Sequence, residues 1–566
     1  MREKSVITRT ITVAGGVFAP GHLGELTPFV PFELVDAVLA ETGTVQRRLR
    51  DLPSRVGVYF LLALALFPRL GYARTWDKLV AGLAGLPLPT PSEKALRDLR
   101  RRLGPAPMRE LFQALAVPLA QPHTPGVCYR RLRTVAFDGC SSIKVPDRDR
   151  NRHWLRWPHG QGWCGYPMLQ LMTLVETGTR GLLGAVFGPT TDGETTYAKR
   201  LLPLLHPGQL LLVDRGFDGN AFLAATAATG AQFLARLGTN RRPPVLAALP
   251  DGSYLSLLGE LKVRIIDAAL TATLTDGTTI TGHYRLATTL LDHRTDPATA
   301  LVHLYRERWE IESAYYALRH TLLDGQVLRS GDPAGIEQEV WTQLALYQAL
   351  RTAMVTAVES RPGTDPDRAG FTTALETARD QVTAAHGVLP EPRPDSQTRI
   401  SRAVLANLLP PRRPRLSTRK VKSPISRYHV QQSDHRPLTS KDITHITTAV
   451  HPCPPTATPA PPTATPPPTP IPPRTPIPPR TPLHGPNQPD RRIKRWNDVH
   501  TLLRTDPQHP WHTDQVALAL GITHRRSLLI QMATWARNGR LHKVDTSTYT
   551  LPPPAQTPPS PHTTNA

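Results

Sequence analysis

Two short apolar runs that end alike constrain this chain more than anything else in it. In Thr134-Val135-Ala136-Phe137-Asp138-Gly139 a strand-like run stops at a carboxylate, and the glycine that follows lets the backbone turn sharply. Leu210-Leu211-Leu212-Val213-Asp214-Arg215-Gly216-Phe217 repeats that arrangement 76 residues later. Two buried strands that both end in Asp bring their carboxylates to one edge of a sheet, where α/β proteins place their sites. Taken singly, an Asp after a strand is an ordinary turn residue; the repetition is what carries information.

The surroundings suit a sheet. From about 131 to 325, short apolar runs (134–137, 169–175, 181–187, 210–213) alternate with helical stretches at 194–205 and 220–229. Residues 244–290 are rich in Thr, Val, Ile and Leu, with Asp251-Gly252 and Asp276-Gly277 as turns, and read as all-β. A long helix is expected from about Pro297 to Leu323. Before the sheet, residues 26–120 carry apolar side chains at helical spacing, as in Phe32, Val35, Val38 and Leu39. One of these helices, opened by Thr90-Pro91-Ser92, holds Arg97, Arg100, Arg101 and Arg102. That face is either solvated or in contact with a polyanion.

The charge is distributed unevenly. The 566 residues carry a formal +22, and residues 391–566 hold 24 Lys/Arg against 9 Asp/Glu, so about +15 lies in the last third. A basic excess of this size points to nucleic acid. Residues 391–450 read as an exposed basic segment. Residues 451–490 form a Pro-rich linker, in which TPIPPR occurs twice in succession, and this composition suits an extended spacer. Beyond it, 491–551 has three helical stretches and a hairpin-like Leu541–Leu551. Arg525 and Arg526 open the third helix, where a recognition helix meets DNA in a winged helix-turn-helix. Residues 552–566 are expected to be a disordered tail.

Other classes are disfavoured. The longest apolar run, Val56–Phe67, is 12 residues, short of the roughly 18–20 that cross a bilayer. Four cysteines fall at no zinc-like spacing. With no signal-peptide pattern, a cytoplasmic, nucleoid-associated location is expected.

A carboxylate pair of this kind suits hard Mg²⁺ or Mn²⁺, and a second ion requires a third carboxylate. The expected long helix offers one. Tyr305, Arg308, Glu312 and Arg319 lie three, four and seven residues apart and share one stripe. A salt-bridge ladder is the plain reading of such a stripe, and Glu307 and Glu310 fit that role.

The spacing Tyr-x2-Arg-x3-Glu-x6-Arg, following strands that end FDG and VDRGF, resembles the DDE transposases of the insertion-element-four group. The resemblance spans about residues 20–330 and includes Phe18-Ala19-Pro20-Gly21-His22-Leu23-Gly24. It implies a ribonuclease H-like core in which Asp138, Asp214 and Glu312 hold two divalent ions, Mg²⁺ with Mn²⁺ as substitute. It also implies a β-rich insert at about 240–292, and cleavage followed by strand transfer at the element's ends. Tyr305, Arg308, Arg319 and Arg215 would then hold phosphates. A homodimer would pair two double-stranded DNA ends in a synaptic complex and join them to target DNA. Two departures stand out: the last stripe position is Arg319 where Lys is common, and the insert has no Trp between Asp214 and Trp309. Tyr254 or Tyr284 either replaces that base-stacking aromatic or fills the β core.

The expected architecture is therefore multidomain. An all-α N-terminal DNA-binding region covers 1–125, and an α/β ribonuclease H-like core with its β-rich insert covers 126–390. The basic segment, the Pro-rich linker and a small winged-helix-like domain follow. Two rival functions share these features: a catalytically silent DNA-binding regulator, and a metal-dependent nuclease that does not join strands.

Overall fold

The computed structural model divides the chain into one unit within Met1–Pro459 and a second within Ala460–Ala566. In the first unit it describes residues 22–46, 52–83, 88–157, 165–238, 240–307, 317–385, 398–411, 415–417 and 440–453. In the second it describes 491–506, 509–522, 541–545 and 548–551, with isolated positions between 528 and 536.

The N-terminal region is helical throughout: α1 (Phe32–Glu41), α2 (Ser54–Leu66), α3 (Tyr72–Val80), α4 (Glu93–Leu103) and α5 (Ala106–Leu115). The apolar run at 56–67 becomes α2, buried from Val56 to Leu66 and wrapped by the other helices. Burying apolar side chains on every face is what such a run requires. The arginines of α4 divide by position. Arg97 and Arg101 sit on the exposed face with Glu93 and Asp98. Arg100 points inward, only 6% exposed, and pairs with Glu339 and Tyr72. The basic face of α4 is thus partly a solvated ladder and partly a buried clasp.

The sheet begins with β1 (Cys128–Tyr129) and the long β2 (Leu132–Lys144). After α6 (Asp149–Trp154), β3 (Met168–Glu176) and β4 (Leu182–Pro189) run antiparallel beside β2. Helix α7 (Glu194–Leu201) crosses over to β5 (Gln209–Val213), which is parallel to β2, and α8 (Asn220–Ala228) crosses to β6 (Gln232–Arg236), parallel to β5. Both crossovers cover apolar faces, as parallel pairing requires.

The insert is not a separate module. Strands β7 (Ala247–Ala248), β8 (Tyr254–Leu258), β9 (Leu261–Leu274) and β10 (Thr279–Thr288) join the same sheet, because Leu286–Thr288 of β10 pair with Leu234–Arg236 of β6. Helix α9 (Ala298–Glu307) follows, and a π-helical turn spans Ala317–Leu322. The 27-residue α10 (Pro333–Glu359) then runs through the main core, joined by α11 (Phe371–Thr383) and α12 (Arg399–Ala406).

One expectation changes here. Within the segment read as an exposed basic strap, Arg415–Ser417 (β11) and Ser440–Val450 (β12) are strands, and β12 pairs antiparallel with β9. The signal for this strand is its β-branched content, with Ile443, Thr444, Ile446, Thr447, Thr448 and Val450 within eleven residues; Ile443 is out of step with Ile446 because the register shifts between Ile443 and His445.

The second unit holds α13 (Arg491–Arg504), α14 (Thr513–Ala519) and a small sheet in the order β13 (Trp511–His512), β15 (Thr548–Thr550), β14 (His542–Asp545). Val499, Leu503, Val516, Leu528, Met532, Trp535 and Tyr549 form its core. Arg525 and Arg526 lie outside the described residues.

Candidate active site

Strands β2 and β5 run in parallel with Ala136 opposite Leu212. Continued two residues, this register sets Asp138 beside Asp214; β5 ends there, but β2 does not end at its Asp as expected, since it runs on to Lys144 paired with β3 and Gly139 makes no turn. Both carboxylates are half-buried. In each, Oδ1 accepts the backbone N–H of the next residue, from Gly139 at 3.0 Å and from Arg215 at 2.7 Å. Phe137, Phe217 and Phe222 meet beneath them, with centroids 5.4–6.2 Å apart. This ring cluster ties the residue before Asp138 to the turn after Asp214.

Arg215 is exposed at the start of a 3-10 turn, Arg215–Phe217. Arg308 and Glu312 lie outside the described residues, as does the side chain of Arg319. Among the described residues, no group of three or more His, Cys, Asp or Glu converges as a metal cage.

Tyr305 departs from its expected role. It is 1% exposed, and its hydroxyl donates to the carbonyl of Val213 at 3.1 Å. A side chain this deep does not present its phenol to a phosphate; it ties α9 to the end of β5, one residue before Asp214. Of the two aromatics considered as base platforms, Tyr254 is 2% exposed within the second apolar cluster. Tyr284 is half-buried, edge-on to Tyr305 at 6.0 Å.

The structure adds two residues that sequence reasoning missed. Val213 of β5 pairs with Ala235 of β6, so Arg236 stands beside Asp214 in the next strand. Its guanidinium lies 4.9 Å over the ring of Tyr284, a cation–π geometry. The signal was present: Gln232-Phe233-Leu234-Ala235-Arg236 is a third apolar run that ends in a charge, this time a cation. Glu194, at the start of α7, is the other: its Oε1 lies 3.0 Å from where a Cβ on Gly139 would be. A glycine after Asp138 leaves room for the Glu194 carboxylate beside β2.

Residues 20–113 match the family model for the insertion element 4 transposase N-terminal region, and 131–348 match the transposase DDE domain. The chain belongs to the insertion-element-4 family of DDE transposases. Over 410 residues it is 27% identical to the Escherichia coli K12 transposase InsG of insertion sequence element IS4, covering 71% of this chain and 92% of that one. A putative transposase from the same organism, InsZ, is 25% identical over 190 residues, 33% of this chain and 62% of the relative. A piggyBac transposase synaptic complex with hairpin DNA overlaps 68% of the chain at a TM-score of 0.33 and 13% identity.

This transposase therefore combines a helical N-terminal region with a mixed-sheet core consistent with a ribonuclease H-like transposase fold, and it acts on DNA. DDE enzymes generally use divalent metal ions. Among the described residues no helix is long and apolar enough to cross a membrane. The DDE match begins one residue before β2 and ends within α10, so β12 lies outside both matched regions.

Proposed function

We propose that Asp138, Asp214 and Glu312 are the catalytic carboxylates of this transposase, and that it cuts the inverted ends of its element and joins them to target DNA. The observation that supports this most is the parallel register of β2 and β5, Ala136 opposite Leu212, which when extended two residues puts Asp138, within β2, abreast of Asp214 at the end of β5. The donor set fits hard ions, since both groups offer carboxylate oxygen at a half-exposed edge. Two Mg²⁺ ions, or Mn²⁺ in their place, would supply Lewis-acid stabilisation of the attacking and leaving oxygens when bound.

The remaining roles belong to the chain's own side chains. Asp138 and Asp214 are held in orientation by the N–H groups of Gly139 and Arg215, which occupy one oxygen of each. Arg215 and Arg236 flank Asp214 and would fork onto phosphate oxygens of the terminal strand, as would Arg308 and Arg319. Tyr305 acts one step back, by fixing the strand end that carries Asp214. The element ends would be bound by two copies in a synaptic homodimer. The second unit, read as a winged helix carrying Arg525 and Arg526, would add affinity through the Pro-rich spacer by raising effective concentration.

Asp214→Asn in the full-length protein tests the core of this reading. Single-turnover cleavage of end DNA in Mg²⁺ should fall by a factor of about 10³ or more, while binding of the same DNA is retained. Cleavage and joining at the wild-type rate would remove Asp214 from the chemistry. Cut ends with no joined product, from the wild type, would make the protein a nuclease.

A further inference from the structure

Helix α9 carries Tyr305, whose hydroxyl reaches the carbonyl of Val213, the residue before Asp214, so whatever holds α9 also supports that strand end. Three attachments are visible. At its start, the N–H of Ala298 donates to Asp251 Oδ2 at 3.0 Å, and Asp251 is itself ion-paired to the fully buried Arg264. Near its end, Tyr305 reaches Val213. Between them, the exposed His303 Nε2 lies 3.0 Å from Thr448 Oγ1 of β12.

That middle attachment comes from a strand far along the chain. One edge of β9 is shared by two strands: β8 pairs with residues 261–265, and β12 pairs with residues 268–274. β10 occupies the opposite edge. Without β12, alternate residues between 268 and 274 of β9 would present unpaired backbone N–H and C=O groups at that edge, a known liability. Ile446 and Val450 of β12 pack onto the same apolar cluster that contains Leu301, Val302 and Tyr305 of α9. Past the strand, the His451 N–H donates to the Asp267 carbonyl at 2.7 Å. Val450 also lies against Gly252, whose φ of +84° forms the turn next to Asp251.

We infer that β12 is a positioning element of the catalytic centre: residues 440–453, contributed from beyond the DDE-domain match, brace α9 and, through Tyr305, the end of β5 that carries Asp214. The inference rests on the reading of Asp214 as catalytic. It makes the catalytic unit discontinuous, residues 131–348 completed by a C-terminal strand, and it fixes the start of the Pro-rich spacer to the insert beside α9.

The test uses the full-length protein with Ile446→Asp and Val450→Asp, which put charge on the face of β12 that packs onto α9. Single-turnover cleavage of saturating end DNA in Mg²⁺ should fall at least tenfold, with DNA affinity within threefold of wild type. Hydrogen exchange should speed up at residues 268–274 and 298–307. A synthetic peptide of residues 438–453 should restore at least a third of the lost rate, and a scrambled peptide should not; restoration separates positioning from general damage. Wild-type cleavage despite fast exchange on β9 would overturn the inference. If the double variant does not fold, the near-isosteric Thr448→Val decides: a three- to tenfold slower rate at unchanged affinity is expected, and an unchanged rate overturns it. Asp214→Asn in parallel keeps the two ideas apart. Loss of activity there with wild-type rates for the β12 variants sinks only the brace, and full activity there sinks the site beneath it.

Discussion

The pH dependence of stability should be governed in part by His22, and the structure sets how much. Its ring is 2% exposed, with Nδ1 accepting the Gly24 N–H at 3.2 Å and Nε2 lying 2.8 Å from the Leu79 carbonyl. Those partners are both satisfied by the neutral ring with its proton on Nε2. A second proton would oppose the Gly24 N–H and bury a cation, and burial accordingly depresses the pKa from 6.5 to about 4. Between those values the unfolded chain binds a proton that the native state refuses. Stability from this group is therefore complete above pH 6.5 and is lost as pH falls toward 4. At about 1.36 kcal/mol per tenfold in proton affinity, the loss approaches roughly 3 kcal/mol at the lower limit and about 2 kcal/mol by pH 5. Urea unfolding of the full-length protein at constant ionic strength from pH 7.5 to 4.5 measures it. His22→Gln, less stable at neutral pH but unable to titrate, should show a slope smaller by that amount. Identical slopes for the two proteins would refute the assignment.

Other perturbations have equally definite outcomes. Tyr305→Phe removes the donor to Val213 and should cost about 1–3 kcal/mol in urea unfolding, with slower cleavage and unchanged DNA affinity. Arg180 and Asp367 form an ion pair whose side chains are 5% and 3% exposed, so Arg180→Met leaves a buried carboxylate and should lower stability by about 3–5 kcal/mol. Gly24 adopts φ +54°, and a Cβ there would lie 2.7 Å from the backbone of Gln381 in α11. Gly24→Ala should therefore destabilise by roughly 2–4 kcal/mol in the same assay.

The sequence by itself determined the elements that local pattern encodes. The apolar run at Val56–Phe67 had to be buried on every side, and α2 is. The apolar runs before Asp138 and Asp214 had to lie in a covered sheet, and they are buried parallel neighbours at a constant offset of 76 residues, although only β5 ends at its Asp while β2 continues to Lys144. Those features depend on hydrophobic periodicity and on backbone geometry near glycine, both of which are written locally.

What only the tertiary structure decided is which side chains face inward and which distant segments meet. Tyr305 and Arg308 are three residues apart in the sequence, and that spacing could not show that Tyr305 is buried against Val213. Arg100 looks like its neighbours Arg97 and Arg101 in sequence, yet it is the one enclosed by Glu339. Arg236 became a site candidate only when β6 paired beside β5. Residues 440–450 read as part of a basic strap because charge was counted along the chain; they form a strand because the edge of β9 offers backbone hydrogen bonds that some segment must satisfy. Pairing partners and inward faces are properties of the closed core, set by the free energy of burying one surface against another, and no local window of residues contains that term.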